Sequence, residues 1–157
     1  MLKVTRETRG PALVLRLAGT IDENDSLETL FGAIAPGSGL ILNCRAITTL
    51  NSMGVRNWIA VFDKFRKRGH KLQFEEIAVN LVEEVNMVKN FIETAEIESM
   101  LIPYHCASCT MNMTGTLRPD DVRRLGFQIP DVICPQCGQK ATFDDDVDGY
   151  FYFLRRK

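Results

Sequence analysis

Near the middle of the chain stands the run Gly39-Leu40-Ile41-Leu42-Asn43-Cys44, which is nearly all apolar and follows a turn signal at Pro36-Gly37. A short apolar run of this kind, bounded by glycine, is typical of a β-strand that is buried on both faces. We therefore predict that these residues form the central strand of a sheet, with the other elements packed around it.

Upstream of this strand the sequence predicts a hairpin and a short helix. Residues 3–6 and 12–17 read as strands, and Arg9-Gly10-Pro11 between them predicts a turn. Asp25 followed by Glu28 resembles a helix-capping arrangement, and apolar residues then follow helical spacing until Pro36.

Downstream of the strand the pattern alternates between helices and strands. A helix is predicted from Met53 or Gly54 to the residue before Gly69, followed by a strand at 71–75, a helix at 81–92 and a strand at 100–104. This order predicts an α/β fold, in which helices cover a mainly parallel or mixed sheet.

The cysteines give the most specific signal in the sequence. Two Cys-x-x-Cys pairs, Cys106/Cys109 and Cys134/Cys137, lie in the last third of the chain. Two residues between thiolates let both sulfurs turn toward one ion, and two such pairs complete the tetrahedral shell of a structural zinc site. We therefore predict that these four cysteines bind one zinc ion in a closed, non-catalytic site.

Other interpretations of the cysteines are weaker. Iron would make the site an electron carrier, but Thr110 follows Cys109 where glycine would suit an iron site better. Disulfides need an oxidising compartment, whereas the amino terminus has no apolar signal core, so we expect a cytoplasmic protein. His105 could replace Cys106 as a ligand, and Cys44 is interpreted as a core residue.

The pattern changes near residue 101, where turns and short strands replace long apolar helices. We predict one domain at residues 1–101 and a second at 102–157, which resembles a zinc ribbon with a short helical insert at 118–126 and a strand at 150–154. So small a segment buries little surface, and a metal ion would stabilise it. Asp144, Asp145, Asp146 and Asp148 are interpreted as a solvated turn, because the spacing of a calcium loop is missing.

The amino-acid composition argues against some classes of function. The 157-residue chain is 45% apolar and 25% charged, with a net charge of −1, and residues 101–157 carry seven basic and seven acidic residues. Proteins that grip phosphate backbones are usually basic, so the charge balance argues against nucleic-acid binding. The longest apolar runs are far short of the twenty or so residues that a bilayer crossing requires, and we predict no membrane insertion.

A family resemblance covers about residues 1–102. The stretch from Leu40 to Val55 resembles the central strand and following loop of STAS domains, the family of bacterial anti-sigma factor antagonists, and Leu17-Ala18-Gly19-Thr20-Ile21-Asp22 resembles the Gly-x-x-Asp turn of that family. The loop of these domains typically reads Asp-Ser-x-Gly. Here the matching residues are Asn51-Ser52-Met53-Gly54, with Asn51, and also Asn43, where aspartate is common.

The resemblance implies a switch. In the family the loop serine accepts phosphate from a serine kinase that is also the anti-sigma factor, so Ser52 becomes the candidate phosphoacceptor, with Thr48 and Thr49 as weaker ones. The predicted partner-binding residues are Asn51, Ser52, Met53 and Arg56. A simpler interpretation is that Asn51 or Ser52 only caps the next helix.

No nucleophile and base can be paired in the sequence, so we predict a non-catalytic signalling or interaction protein. The fold class that follows is α/β, with a STAS-like mixed sheet, covering helices and a small zinc-ribbon β domain. Two alternatives remain: a nucleic-acid-binding zinc-ribbon regulator and a STAS-like subunit of a transport assembly. A homo-oligomer is possible.

Overall fold

The structure is a computed structural model that describes residues 1–156. Within them the chain forms nine strands and six helices, arranged as two sheets. The elements are β1 Leu2–Arg9, β2 Ala12–Ile21, α1 Leu27–Phe31, β3 Gly39–Leu50, α2 Ser52–Lys67, β4 Leu72–Glu75, α3 Val79–Met87, β5 Glu96–Ile97, β6 Met100–His105, β7 Asn112–Leu117, α4 Pro119–Arg124, β8 Val132–Ile133, β9 Lys140–Phe143, α5 Val147–Tyr150 and α6 Tyr152–Arg155.

The first sheet is mixed and has the strand order β1-β2-β3-β4-β5. β1 and β2 form the predicted antiparallel hairpin, whereas β2, β3, β4 and β5 run parallel to one another. β3 lies at the centre and begins at Gly39, where the apolar run predicted the central strand. The predicted α/β class with a mixed sheet is therefore confirmed.

Helices α1, α2 and α3 pack against the face of this sheet that carries Leu15 and Leu42, and together they form one apolar core. The indole of Trp58 lies parallel to the ring of Phe91, with 5.0 Å between centroids, and its Nε1 donates to the Phe91 carbonyl at 3.1 Å. This contact anchors the segment after α3. That helix ends at Met87, and not at residue 92 as predicted, because Phe91 is held in a turn against Trp58.

The opposite face of the first sheet carries charged side chains instead of helices. Arg16, Asn43 and Glu75 are neighbours across β2, β3 and β4. Glu75 accepts hydrogen bonds from Arg9 at 2.8 Å and from Asn43 at 3.1 Å, and the Arg9 guanidinium holds the pKa of Glu75 below its ordinary value. The central strand is thus covered on this face by polar side chains, which its apolar pattern did not predict.

The second sheet is antiparallel and has the strand order β7-β6-β9-β8. β6, expected as the last strand of the first sheet, belongs to this second sheet, and the fifth strand of the first sheet is the short β5. A single parallel bridge between Ile77 and Met100 connects β6 to the first unit. The boundary that we predicted after residue 101 falls inside β6.

Two short helices, α5 and α6, lie within residues 147–155. The prediction of a strand at residues 150–154 is wrong, because α5 and α6 occupy this region. Asp146 caps α5 by accepting from the Gly149 N–H at 2.7 Å. Tyr150, Phe151 and Phe153 are buried, which explains the absence of polar alternation. The prediction of a helix in the insert is confirmed by α4, which begins at Pro119.

Hydrogen bonds hold the carboxyl-terminal helices against β6 and against α3. The Tyr150 hydroxyl donates to the Leu101 carbonyl at 2.5 Å, and burial raises the pKa of this tyrosine. Asn86 of α3 donates to the carbonyls of Gly149 and Tyr150 and accepts from the Phe153 N–H at 2.8 Å. These contacts fix α5 and α6 against α3. No helix among residues 1–156 is long and apolar enough to cross a membrane.

Candidate functional site

The four cysteines of the two Cys-x-x-Cys pairs lie together at the tips of two hairpins. Cys106 and Cys109 follow β6 and precede β7, whereas Cys134 and Cys137 follow β8 and precede β9. β6 and β9 are neighbours in the second sheet, so the two turns meet at the same end. The sheet therefore brings the four predicted ligands into one cluster.

The two turns have the same backbone structure. The N–H of each first cysteine bonds the carbonyl five residues later, as Cys106 to Met111 and Cys134 to Gln139. The residue after each second cysteine donates to the carbonyl of the first cysteine at 2.8 and 2.9 Å and has a positive φ, 62° at Thr110 and 74° at Gly138. Thr110 thus adopts the conformation of a glycine. Because the two turns have the same backbone conformation, a threonine after Cys109 is no evidence against an iron site, contrary to our interpretation of the sequence.

The distances between the thiols suit a tetrahedral ion. The Sγ atoms of Cys106 and Cys137 are 3.5 Å apart and those of Cys109 and Cys134 are 3.6 Å apart, and all four lie within 4.8 Å of one another. A zinc–sulfur distance of about 2.3 Å gives sulfur–sulfur edges of about 3.8 Å. These separations exceed a disulfide bond of about 2.05 Å, and the cysteines are free. The cluster could hold a metal ion.

The electrostatics of the cluster favour a cation. Backbone N–H groups, that of Cys109 first, lower the pKa of Cys106 to about 6. The Met111 N–H favours the Cys109 thiolate, but burial and the neighbouring sulfurs raise its pKa to about 12, and the pKa of Cys137 is also raised. Four thiolates this close repel one another, so all four ionise together only around a positive ion.

The other candidate ligands stay outside the cluster. His105 turns away and its Nδ1 lies 2.7 Å from the Asn112 Oδ1. Cys44 is buried in the core of the first unit, where burial raises the pKa of its thiol. Among residues 1–156, the four cysteines are the one group of three or more His, Cys, Asp or Glu side chains that converge closely enough to hold an ion.

The second candidate site lies where β3 leads into α2. Asn51 is the N-cap of α2, since its Oδ1 accepts from the Gly54 N–H at 2.8 Å. Ser52 is therefore the first residue of the helix, and its side chain is exposed. The interpretation that one of these two residues caps the helix is borne out for Asn51. Ser52 is left free of that role.

Gly54 holds this helix end close to β2. A Cβ atom at position 54 would overlap the carbonyl group of Ile21, and the side chain of Leu50 lies 3.0 Å away. The Asn51 N–H also donates to the Ile21 carbonyl at 3.3 Å. Only glycine fits at position 54. Because Ser52 lies two residues before this close contact, the serine is held at the edge of the sheet.

Glu23 also belongs to this site, although the sequence did not indicate it. The Asn51 Nδ2 donates to the Glu23 carboxylate at 2.7 Å. An aspartate at position 51 could not make this bond, because a carboxylate has no donor to offer another carboxylate. The bond therefore accounts for the asparagine in the loop. No local pattern could reveal it, since the two residues are 28 positions apart.

The remaining predicted residues surround the loop. Met53 is 45% exposed, a high value for a large apolar side chain. Arg56 is exposed one turn after Ser52, and no ion pair within residues 1–156 involves it. Thr49 shares a hydrogen bond of 2.8 Å with Thr20, and the Thr48 carbonyl accepts from Asn80.

The aromatic run near the carboxyl terminus is packed inside the protein. Phe143 stacks on Phe151 at 5.6 Å between centroids, and Tyr150 meets Phe151 edge-on. Tyr152, at 53% exposed, is the one ring of residues 150–153 that is open to solvent. Single-stranded nucleic acids bind where successive bases stack on exposed aromatic rings, and this run exposes only the ring of Tyr152.

A scan of protein-family models finds no match to this chain, and neither does a search of curated proteins. The geometry of the cysteine cluster and of the loop before α2 is therefore the basis for assigning a function.

Proposed function

We propose that this chain is a non-catalytic interaction module of the STAS type, in which Ser52 accepts a phosphate from a partner serine kinase that doubles as its binding partner. The observation that carries the proposal is the position of Ser52. Its hydroxyl is exposed in the first turn of α2, at the edge of the sheet where the parallel strand β3 ends. Ligands of parallel sheets bind at this edge.

The surroundings of Ser52 suit a phosphate. The Asn51 side chain accepts from the Gly54 N–H, and the Asn51 carbonyl accepts from the Val55 N–H. The N–H groups of Ser52 and Met53 have no partner among residues 1–156. The first turn carries no acidic residue, and the positive end of the helix dipole lies there. Arg56 is four residues along, which is the spacing for side-chain contact on a helix.

A phosphate at Ser52 would also change a docking surface. Met53 offers an exposed apolar side chain beside the serine, and a partner that covers it would bury Ser52 as well. Phosphorylation adds nearly two negative charges at that point, next to the Asn51–Glu23 hydrogen bond. Repulsion and desolvation would then weaken partner binding, and the chain needs no internal chemistry to act as a switch.

We further propose that the second unit is a zinc ribbon. Four sulfur ligands favour a thiophilic ion, and a shell filled by protein leaves no open position for catalysis. The role of the ion is then to hold the two hairpins together. We assign about residues 1–101 to the first domain and 102–157 to the second, with β6 as the strand that passes between them.

The proposal is tested by phosphorylation in vitro. The purified chain is incubated with ATP and with serine kinases purified from its source organism, and the phosphate is located by peptide mass spectrometry. We expect it on Ser52 and not on Thr48 or Thr49. The binding of the unmodified protein, of Ser52→Asp and of Ser52→Ala to that kinase is then compared by calorimetry, and Ser52→Asp should weaken binding at least tenfold.

Ser26→Asp provides the matched control, because Ser26 is an exposed serine at the start of a different helix, α1. It should bind as the wild type does. If Ser52 takes up no phosphate from any of the kinases and Ser52→Asp binds them unchanged, the loop has only a structural role and the proposal fails.

A further inference from the structure

The edges of the two sheets differ in how well they are protected. β1 and β5 are the edges of the first sheet, and β7 and β8 are the edges of the second. β5 and β8 are two residues long each, and β1 carries four charged residues, so these edges are poor templates for another strand. β7 alone combines a length of six residues with the absence of any charge or proline.

The hydrogen-bonding groups of β7 that point outward can be identified. Cys106 and Met111 form a bonded pair at the start of the hairpin, so the paired positions along β7 are Met113, Gly115 and Leu117. The alternate residues Asn112, Thr114 and Thr116 then direct their N–H and C=O groups away from β6. Pro103, which lacks an N–H, faces Thr114 at such an unbonded position, in agreement with this assignment.

This edge is open in the described part of the chain. Within residues 1–156 the backbone N–H and C=O groups of Asn112, Thr114 and Thr116 have no hydrogen-bond partner, and their side chains are exposed. Three donors and three acceptors therefore stand in a row at strand spacing. Such a row is completed by another β-strand.

We propose that the partner is a second copy of this chain, which pairs its own β7 antiparallel to this one about a two-fold axis at Thr114. Thr114 then faces Thr114 of the second copy, and Asn112 faces Thr116 of the second copy. In this register every outward N–H meets an outward C=O, and the two four-stranded sheets become one continuous sheet.

The side chains are compatible with this self-pairing. The exposed row consists of asparagine and threonines, and threonine pairs directly across two strands are favourable. Because β7 is uncharged, no like charges meet across the axis. On the other face Met113 comes opposite Gly115, where the Tyr104 ring at 3.0 Å from the Cβ position leaves little room for a side chain. A large residue thus lies opposite a small one.

The experiment is sedimentation velocity on the full, metal-loaded chain over a concentration range of about 1 to 500 µM, because a pairing of one strand is smaller than a standard interface and should dissociate in the micromolar range. The wild type should change from monomer to dimer across this range. Thr114→Pro removes an N–H that β6 does not use, and Thr114→Lys places two cations on the axis. Both should stay monomeric at every concentration.

Thr5→Lys on the exposed side of β1 is the charge-matched control and should dimerise like the wild type. Circular dichroism and metal content show that the variants keep their fold. A wild type that remains monomeric at the highest concentration overturns the proposal. So does a dimer that persists in Thr114→Lys with an unchanged dissociation constant.

Discussion

Thr110 and Gly138 hold equivalent positions in the two cysteine turns, and both have a left-handed backbone, at φ 62° and 74°. A β-branched residue in this conformation is strained, because its Cβ comes close to the following carbonyl, at a cost of about 1–2 kcal/mol. The hydrogen bond from the Thr110 hydroxyl to the Cys109 carbonyl offsets part of this strain. The turn thus keeps its sulfurs in place although Thr110 adopts a backbone conformation that threonine disfavours.

We expect Thr110→Gly to stabilise the metal-loaded protein by up to about 1 kcal/mol, because relief of the strain outweighs the entropy that glycine adds to the unfolded chain. Gly138→Ala should destabilise it by about 1 kcal/mol for the opposite reason. Urea unfolding followed by circular dichroism measures both. Thr116→Gly, at an exposed threonine in a regular strand, is the control and should destabilise; a loss of stability in Thr110→Gly as well would exclude strain at this turn.

Metal binding should release protons, since the pKa of the Cys106 thiol is lowered to about 6, while those of Cys109 and Cys137 are raised. At pH 7 we expect at least two protons, those of Cys109 and Cys137, to leave when all four sulfurs bind zinc as thiolates. Affinity for zinc should therefore fall as the pH falls, because protons compete for the sulfurs. Calorimetry in buffers of different ionisation enthalpy counts the protons, and a release of none would contradict the four-thiolate site.

At the scale of elements, sequence patterns located the long, strongly periodic ones. β3 and α2 follow from apolar spacing, and α4 from Pro119 at its start. The carboxyl-terminal helices could not be predicted in the same way, because elements of four residues are too short to show a helical period. Tyr150, Phe151 and Phe153 are buried by tertiary contacts, and an apolar run without polar alternation resembles a buried strand.

The candidate sites were predictable to a similar degree. The cysteine ligands follow from spacing within each turn, which is a local property. By contrast, the Asn51–Glu23 hydrogen bond and the assignment of β6 to the second sheet depend on contacts between distant parts of the chain. A single sequence carries no direct signal of such contacts.

Asn86 should be the residue of α3 on which the carboxyl-terminal helices depend most. Its side chain makes three hydrogen bonds to the backbone of residues 149–153. Asn86→Ala leaves those half-buried backbone groups without partners and should cost about 2–3 kcal/mol in the free energy of unfolding. Hydrogen exchange should show faster exchange in α5 and α6. Asn90→Ala, at an exposed position, is the control, and equal exchange in both variants would refute this role.

The whole molecule consists of an α/β unit with a large apolar core and a small β unit built on two hairpins. The second unit contributes fewer buried apolar side chains than the first, and the aromatic rings of its carboxyl-terminal helices are among them. A segment of fewer than sixty residues seldom reaches stability on such a core alone. The proposed ion at the hairpin tips and the contacts to α3 at the other end would together hold this unit in shape.

The most specific prediction for this chain is that the four cysteines bind one zinc ion per chain as a structural clip. Native mass spectrometry of the protein as purified tests it directly, because the mass identifies the metal, its number and the redox state of the thiols. We predict one zinc ion per chain, and its loss in Cys134→Ser together with the folded charge-state distribution. A chain that contains iron, or a metal-free chain lighter by two hydrogens for each disulfide formed, would contradict the claim.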